Sequence, residues 1–148
     1  MTTLREITMD NFRECLNLKL APDQERFVAP NIYSLAEAKA DGVSIPLAIY
    51  ADDTMVGFTM YNYDEVNGRG YIDRLMVDQR YQGKGYGRAA MIEVVERLKR
   101  MPGCREIQVS FSHDNIMADT LYAGLGFART GKTTPDGEET IVLMQVNR

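Results

Sequence analysis

The stretch Gln82-Gly83-Lys84-Gly85-Tyr86-Gly87-Arg88 lies between an apolar run typical of a strand, Tyr71 to Val77, and a helical pattern that begins at Tyr86. Glycine in regular structure costs about 0.5 to 1 kcal/mol relative to alanine, so three alternate glycines indicate a sharp bend or a close ligand. Amides at the start of a helix favour an anion, because the positive end of the helix dipole lies behind them. The stretch therefore predicts a phosphate-binding loop within a strand, loop and helix unit, with a flexible turn as the alternative.

Two well-known phosphate loops do not fit this spacing. A Walker A loop requires Ser or Thr directly after its Gly-Lys pair, whereas Lys84 is followed by Gly85. A dinucleotide fingerprint requires glycine at the sixth place counted from Gly83, and that place is Arg88. The loop is therefore neither of these two phosphate loops.

The first half of the chain predicts strands and short helices. The predicted strands are Leu4 to Thr8, Ile45 to Ala51, Met55 to Tyr63 and Tyr71 to Val77, and the predicted helices are Asp10 to Leu20 and one that Ser34 opens with Glu37 as a capping box. Prolines interrupt residues 21–33, which predicts a polar connector. The pair Asn67-Gly68 predicts a hairpin, so a meander of antiparallel strands is expected.

The second half predicts two α/β crossovers. A helix runs from Tyr86 to a stop at Pro102-Gly103, a second helix spans Asn115 to Gly124, and the strands are Glu106 to Phe111, Phe127 to Thr130 and Thr140 to Val146. A turn is expected between the last two strands, which form a closing pair.

Composition limits the class of protein. The chain has 148 residues, 45% of them hydrophobic, which predicts one domain over residues 1–148. A net charge of −4 disfavours nucleic acid as a partner. We expect a cytoplasmic protein without membrane contact, since neither a signal peptide nor a long apolar stretch is evident. Two distant cysteines and one histidine predict no disulfide framework and no metal site, and covalent catalysis is disfavoured.

Three segments together resemble the acetyl-CoA signature of the GNAT superfamily of N-acetyltransferases. They are the strand end Ile72 to Val77, the glycine stretch Tyr81 to Gly87, and Asn115 with Ala118, Leu121-Tyr122 and Gly126-Phe127. The resemblance implies a mixed α/β (α+β) fold with about four helices. Its central sheet is expected to be mostly antiparallel and to contain a splayed pair of parallel strands.

The resemblance also implies acetyl-CoA as the acetyl donor and assigns residues to it. The pantetheine arm is expected along the edge of the first splayed strand, the pyrophosphate on the glycine loop, and Asn115 on the other side, where it would serve equally as a helix N-cap. The implied donor-binding residues are Leu75, Met76, Val77, Gln82, Gly83, Lys84, Gly85, Tyr86, Gly87, Arg88 and Asn115.

Two side chains are candidates for the chemistry. In the family, the position of Tyr122 protonates the thiolate of departing coenzyme A; its alternative is an ordinary buried tyrosine. The amine must lose a proton before it attacks, so a carboxylate is the natural base, and Asp73 is the candidate on the strand that lines the wedge. The alternative for Asp73 is a structural role, because strand alternation could direct it away.

Two segments indicate which amine accepts the acetyl group. Residues 24–38 and Ile72-Asp73-Arg74 are similar to bacterial spermine/spermidine (diamine) acetyltransferases, which implies a polyamine acceptor. Glu25 and Asp73 are the candidates to bind it. Another small amine, a peptide or protein amine, and a non-catalytic CoA-binding sensor remain alternatives, and the sequence leaves a homodimer open.

Overall fold

The computed structural model describes residues 1–146, and within them lie seven strands, four α-helices and two 3-10 helices. The strands are β1 (Thr2–Glu6), β2 (Ile45–Ala51), β3 (Thr54–Asp64), β4 (Arg69–Val77), β5 (Glu106–Ser112), β6 (Ala128–Thr133) and β7 (Glu139–Gln145). The α-helices are α1 (Phe12–Asn17), α2 (Asn31–Asp41), α3 (Tyr86–Lys99) and α4 (Ile116–Gly124), and the 3-10 helices are Pro22–Phe27 and Gln79–Tyr81.

The strands form a single sheet in the order β1-β2-β3-β4-β5-β7-β6. Every neighbouring pair is antiparallel except β4 and β5, which are parallel and joined through α3. A parallel connection needs a crossover, and the helix predicted after the glycine loop provides it. The predicted fold class is therefore confirmed, including the one parallel pair.

Alternation along the strands produces two cores, one on each face of the sheet. In β2, Leu47 and Ile49 pack under α3 and α4, whereas Ala48 and Tyr50 pack under α1 and α2. Successive strand side chains point to opposite faces, so an almost continuous apolar run is what a strand covered on both sides requires. The helices therefore hold the central strands between two apolar layers.

Helix α2 corrects one prediction. It begins at Asn31, with Pro30 as its N-cap residue, and the Ser34 amide already donates to the Pro30 carbonyl. The predicted capping box of Ser34 and Glu37 is wrong, because the hydroxyl of Ser34 instead accepts from Arg74. Proline suits a helix start, since its missing N–H needs no partner there.

The first strand and helix also differ from their predicted bounds. Strand β1 ends at Glu6 rather than Thr8, because Thr8 donates its amide to Asn11 Oδ1 and turns the chain. Helix α1 ends at Asn17 rather than Leu20, because the Lys19 amide leaves the helix to donate to Asp78. The first difference arises from a local turn, and the second from a contact with a residue 59 positions away, which local sequence does not reveal.

No helix within residues 1–146 is both long enough and apolar enough to span a bilayer.

Candidate active site

Strands β4 and β5 diverge and open a cleft in the sheet. They pair only over residues 69–72 of β4 and 106–109 of β5. Beyond those residues β4 remains paired with β3 as far as Val77, and β5 remains paired with β7 as far as Ser112. Residues of an antiparallel strand alternate between those that bond to the partner and those that do not, so β4 presents to the gap backbone groups that no strand pairs with. The cleft between them has a volume of about 1030 Å³.

A β-bulge at Asp73 marks the point of divergence. Met60 lies opposite Arg74, whereas the next residue of β3 lies opposite Ile72, so Asp73 has no partner. The extra residue reverses the faces of all later side chains. Ile72 therefore belongs to the core under α3 and α4, and Met76, an even number of residues later, belongs to the core under α1 and α2.

The glycine loop supplies the backbone amides at one end of the cleft. Gly83 and Gly85 have φ angles of +78° and +85°, which L residues rarely adopt, and Gly85 is the N-cap residue of α3. Ala89 donates to the Gly85 carbonyl, so the preceding amides of the first turn point out of the helix start. A Cβ at Gly87 would lie 3.4 Å from Val77 Cγ2, which shows how closely α3 approaches β4. The loop has the geometry of an anion site at a helix N-terminus.

Asp78 anchors the chain between β4 and the glycine loop. It is 1% exposed and accepts hydrogen bonds from the amides of Lys19 and Arg80 and from the Arg80 guanidinium. Burial alone would raise the pKa of Asp78, but the hydrogen bonds from Arg80 and Lys19 outweigh it, and the net pKa is lowered. The only local signal for Asp78 in the sequence is an acid directly after an apolar strand and before a loop, and it did not predict this role.

The donor-binding residues inferred from the sequence lie together along the cleft, with one exception. Leu75 to Val77 form the free end of β4, and the glycine loop follows it after one 3-10 turn. The exposed side chain of Lys84 does not line the cleft. Those that line it are Leu75, Met76, Val77, Gln82, Gly83, Gly85, Tyr86, Gly87, Arg88 and Asn115.

Asn115 is the N-cap residue of α4 and lines the cleft opposite β4. Its Oδ1 accepts from the Ala118 amide at 3.2 Å, so the side chain satisfies one of the orphan donors of the helix start. The side-chain nitrogen of Asn115 is not needed for this cap. Capping and ligand binding are therefore compatible at this position.

Tyr122 lies on α4 and is 4% exposed. Its ring stacks on Phe111 with centroids 6.1 Å apart and meets Phe127 edge-on at 5.5 Å. The hydroxyl donates to Met91 Sδ at 3.6 Å, and a thioether is a weak acceptor. Burial raises the pKa of Tyr122. The ring borders the cleft, and its hydroxyl keeps its proton across the physiological range.

Asp73 lines the cleft from the opposite wall. Asn62 Nδ2 donates to Asp73 Oδ2 at 2.5 Å. Burial raises the pKa of Asp73, and the opposing effects of the Asn62 hydrogen bond and the neighbouring Arg74 do not cancel it. Arg74 itself points towards α2, where it pairs with Glu37 at 3.0 Å. Asp73 is therefore a half-buried carboxyl group whose affinity for a proton is higher than usual.

The 3-10 helix Pro22–Phe27, which we call the strap, crosses the mouth of the cleft. Its Gln24 exchanges side-chain hydrogen bonds with Gln82 of the glycine loop. Its Arg26 pairs with Asp114, which precedes α4, at 2.8 Å. Glu25 lines the cleft between them and is exposed. The sequence predicts a polar connector here, and Pro22 and Pro30 are its only local indication of a defined path.

A further carboxylate, missed from the sequence, lies on the β5 side of the cleft. Glu139 begins β7 and accepts a hydrogen bond from the Ser110 hydroxyl at 3.0 Å. Both residues line the cleft. Only the pairing of β5 with β7 brings them there, so no spacing in the sequence could have indicated it.

Comparison with known proteins agrees with this architecture. The pattern of the acetyltransferase (GNAT) family matches residues 1–127. The spermine/spermidine N(1)-acetyltransferase of Bacillus subtilis strain 168 is 32% identical over 145 residues, which cover 94% of this chain and 95% of that protein. An aminoglycoside N(6')-acetyltransferase type 1 of Stenotrophomonas maltophilia is 31% identical over 122 residues, covering 78% of this chain and 77% of that protein.

Solved structures share the fold at lower identity. The spermidine N-acetyltransferase from Vibrio cholerae in complex with CoA and spermine superposes with a TM-score of 0.80, over 98% of this chain and 95% of that chain, at 15% identity. The PaiA N-acetyltransferase from Thermoplasma acidophilum in complex with coenzyme A superposes with a TM-score of 0.70, over 98% of this chain and 99% of that chain, at 15% identity.

Proposed function

The chain belongs to the GNAT family of acetyltransferases, and from that premise we propose that it acetylates a primary amine of a polyamine such as spermidine or spermine. The acetyl group passes directly from acetyl-CoA, the donor of this family, while both substrates are bound. The observation that carries the proposal is the identity of 32% across nearly the whole chain with a spermine/spermidine acetyltransferase. The carboxylates of the cleft support it, since a polyamine presents separated positive charges.

The donor would lie along β4 and the glycine loop. Backbone groups on the free end of β4 suit the amides of a pantetheine arm, much as an added strand would pair with a sheet edge. The amides of Gly85 to Arg88 at the start of α3 suit the pyrophosphate. Asn115 would reach the arm from the opposite side through its side-chain nitrogen. These assignments use the predicted donor residues of β4, the start of α3 and the start of α4.

Asp73 is the proposed base. Its raised pKa brings the carboxyl group closer to the working pH, which is what proton abstraction from an ammonium group requires. The attacking amine then forms the amide bond as the thioester bond breaks. Asn62, which donates to Asp73, would hold the carboxylate in place through this step.

Tyr122 is the proposed acid. Acetyl-CoA supplies the acetyl group as a thioester, and the thiolate that departs needs a proton. The phenol is protonated, and its hydrogen bond to a sulfur atom is weak, so the proton can be directed to another acceptor at little cost. The stacked rings around Tyr122 fix its orientation.

Thiol release from acetyl-CoA with a panel of amines tests the acceptor. The panel contains spermidine, spermine, an aminoglycoside, a simple monoamine and short peptides. We expect the highest kcat/KM with a polyamine. Preference for the aminoglycoside would favour the function of the Stenotrophomonas maltophilia relative, and preference for a peptide would favour a protein acceptor. Tight CoA binding without turnover of any amine would indicate a sensor.

Salt dependence tests the role of the carboxylates. In Asp73→Asn and Glu25→Gln, the KM for spermidine should rise several-fold at low salt, and the rise should shrink as salt screens the charges. Glu138→Gln is the matched control, because this exposed acid is not among the residues that line the cleft. An unchanged KM in both cleft variants, or spermidine no better than a monoamine, would refute the polyamine assignment.

A further inference from the structure

The strap is attached to the part of the site that would hold the donor. Gln82 Nε2 donates to Gln24 Oε1 at 2.8 Å and to the Val77 carbonyl at 2.9 Å, and Gln24 Nε2 donates back to Gln82 Oε1 at 3.1 Å. Gln24 Oε1 also accepts from the Ala21 amide at the start of the strap. One amide pair therefore joins three segments: the strap, the glycine loop and the end of β4.

The other end of the strap has a weaker attachment. Arg26 and Asp114 form an ion pair whose side chains are 61% and 62% exposed. Exposed ion pairs contribute little and are screened by salt, because water competes for both charges. The half-buried amide pair of Gln24 and Gln82 is shielded from that competition. We therefore regard it as the contact that determines where the strap lies.

We propose that Gln24 is a positioning residue that couples the glycine loop to the strap, so that donor binding sets the shape of the acceptor side. The strap carries Glu25 along the cleft, and the acceptor half of this inference rests on the proposed function. A ligand that fixes the amides of the glycine loop also fixes Gln82, and Gln24 transmits that restraint to the strap. Coupling of this kind is reciprocal, so the acceptor should tighten donor binding by the same factor.

Hydrogen exchange with CoA alone tests the donor half of the inference. In the parent protein, saturating CoA should slow amide exchange in residues 23–27 by about fivefold or more, the lower end of typical coupling factors. In Gln24→Ala the slowing should fall to less than about twofold, although CoA still binds. Asp23→Asn is the control on the same strap, since Asp23 forms no hydrogen bond or ion pair with the glycine loop among the described residues; it should retain the slowing.

A conservative variant separates positioning from damage to the fold. Gln24→Glu keeps an oxygen that can accept from Gln82 Nε2 but loses the return hydrogen bond, so it should restore part of the protection. In a double-mutant cycle, the effects of Gln24→Ala and Gln82→Ala on the slowing of strap exchange by CoA should be non-additive, because either change breaks the same hydrogen-bonded pair. Full additivity would show that the two side chains act independently.

Binding of the acceptor tests the other half. The affinity for spermidine, or for the best amine of the panel, is measured by calorimetry with and without CoA. The parent should bind the amine about fivefold more tightly with CoA, and Gln24→Ala should lose this gain. In turnover, Gln24→Ala should raise the KM for the amine several-fold and leave kcat within about twofold.

The outcomes distinguish this inference from the proposed function. If no polyamine is acetylated but CoA protects the strap in a Gln24-dependent way, the substrate assignment fails and the coupling stands. If CoA leaves strap exchange unchanged, accelerates it, or protects Gln24→Ala as well as the parent, the coupling is refuted whatever the acceptor is. Amine affinity that is independent of CoA in the parent also refutes it.

Discussion

A valine at Gly85 should remove donor binding and leave a folded protein. Gly85 has φ +85° and would place a Cβ with no atom of the protein within 4 Å, so the change creates no internal clash. The loss of folding stability comes from backbone strain alone, about 1 to 2 kcal/mol for an L residue in the left-handed region. For a domain of this size we expect the melting temperature to fall by about 2 to 8 °C.

The loss of affinity should be larger than this strain. The new side chain would fill the open space in front of the helix start, where the proposed pyrophosphate meets backbone amides. A hydrogen bond to a charged group contributes about 1.5 to 3 kcal/mol, so losing one or two weakens CoA binding by about 10-fold or more. Calorimetric titration with CoA measures the affinity, and thermal unfolding measures the strain in the same samples.

Gly42 provides the matched control. It has φ +70°, its Cβ would also meet nothing within 4 Å, and it ends α2 away from the cleft. Gly42→Val should lower the melting temperature by a similar amount and leave CoA affinity unchanged. If Gly85→Val binds CoA normally, the loop is only a turn. If Gly42→Val weakens CoA binding equally, the effect comes from general destabilisation, and the reasoning fails.

Three further changes test the acid, the base and the anchor of the loop. Tyr122→Phe should lower kcat by about 10² to 10⁴-fold at unchanged acetyl-CoA affinity. Met91→Leu removes only the sulfur that accepts the hydrogen bond of Tyr122, so its kcat should stay within about twofold of the parent's. If Tyr122→Phe turns over as fast as the parent, water protonates the thiolate. The pKa of Asp73 is raised in the folded protein, so its ionisation destabilises the fold as pH rises through that pKa. In urea unfolding, Asp73→Asn should therefore be more stable relative to the parent at pH 7 than near pH 3.5. A difference in stability that does not depend on pH would contradict this. The pKa of Asp78 is lowered in the folded protein, so its contribution to stability is present at neutral pH and lost in acid. Asp78→Asn should therefore lower the free energy of unfolding by about 2 to 3 kcal/mol at pH 7 and by less near pH 3. A loss under about 0.5 kcal/mol at pH 7 would show that Asp78 does not anchor the loop.

Local signals were sufficient for the part of the chain that builds the glycine loop. The bounds of β2 were predicted as observed, and the start of α3 at Tyr86 was as well. In these segments the periodicity, the glycines and the terminating prolines all agree with the tertiary structure. The boundary of an element can be predicted from a single sequence where local preference and the fold agree.

The remaining features depend on contacts between distant segments. The bulge at Asp73 exists because β3 continues its pairing while β5 departs, and the two adjacent polar residues at 73 and 74 were its only trace. The position of Gln24 depends on a partner 58 residues away. The family resemblance predicted that Tyr122 lies near the site. The sulfur atom that accepts a hydrogen bond from its hydroxyl belongs to Met91 on another helix, and the local sequence around Tyr122 did not indicate it.

The order of the last strands has a consequence for how the molecule assembles during synthesis. Strand β7 lies between β5 and β6, although β6 precedes it in the chain. Until β7 has left the ribosome, β6 has no neighbour and β5 presents an open edge, which is the kind of surface that joins to other chains. We therefore expect nascent chains that stop before Glu139 to be prone to aggregation, and the sheet to close only when its inner strand arrives after its outer one.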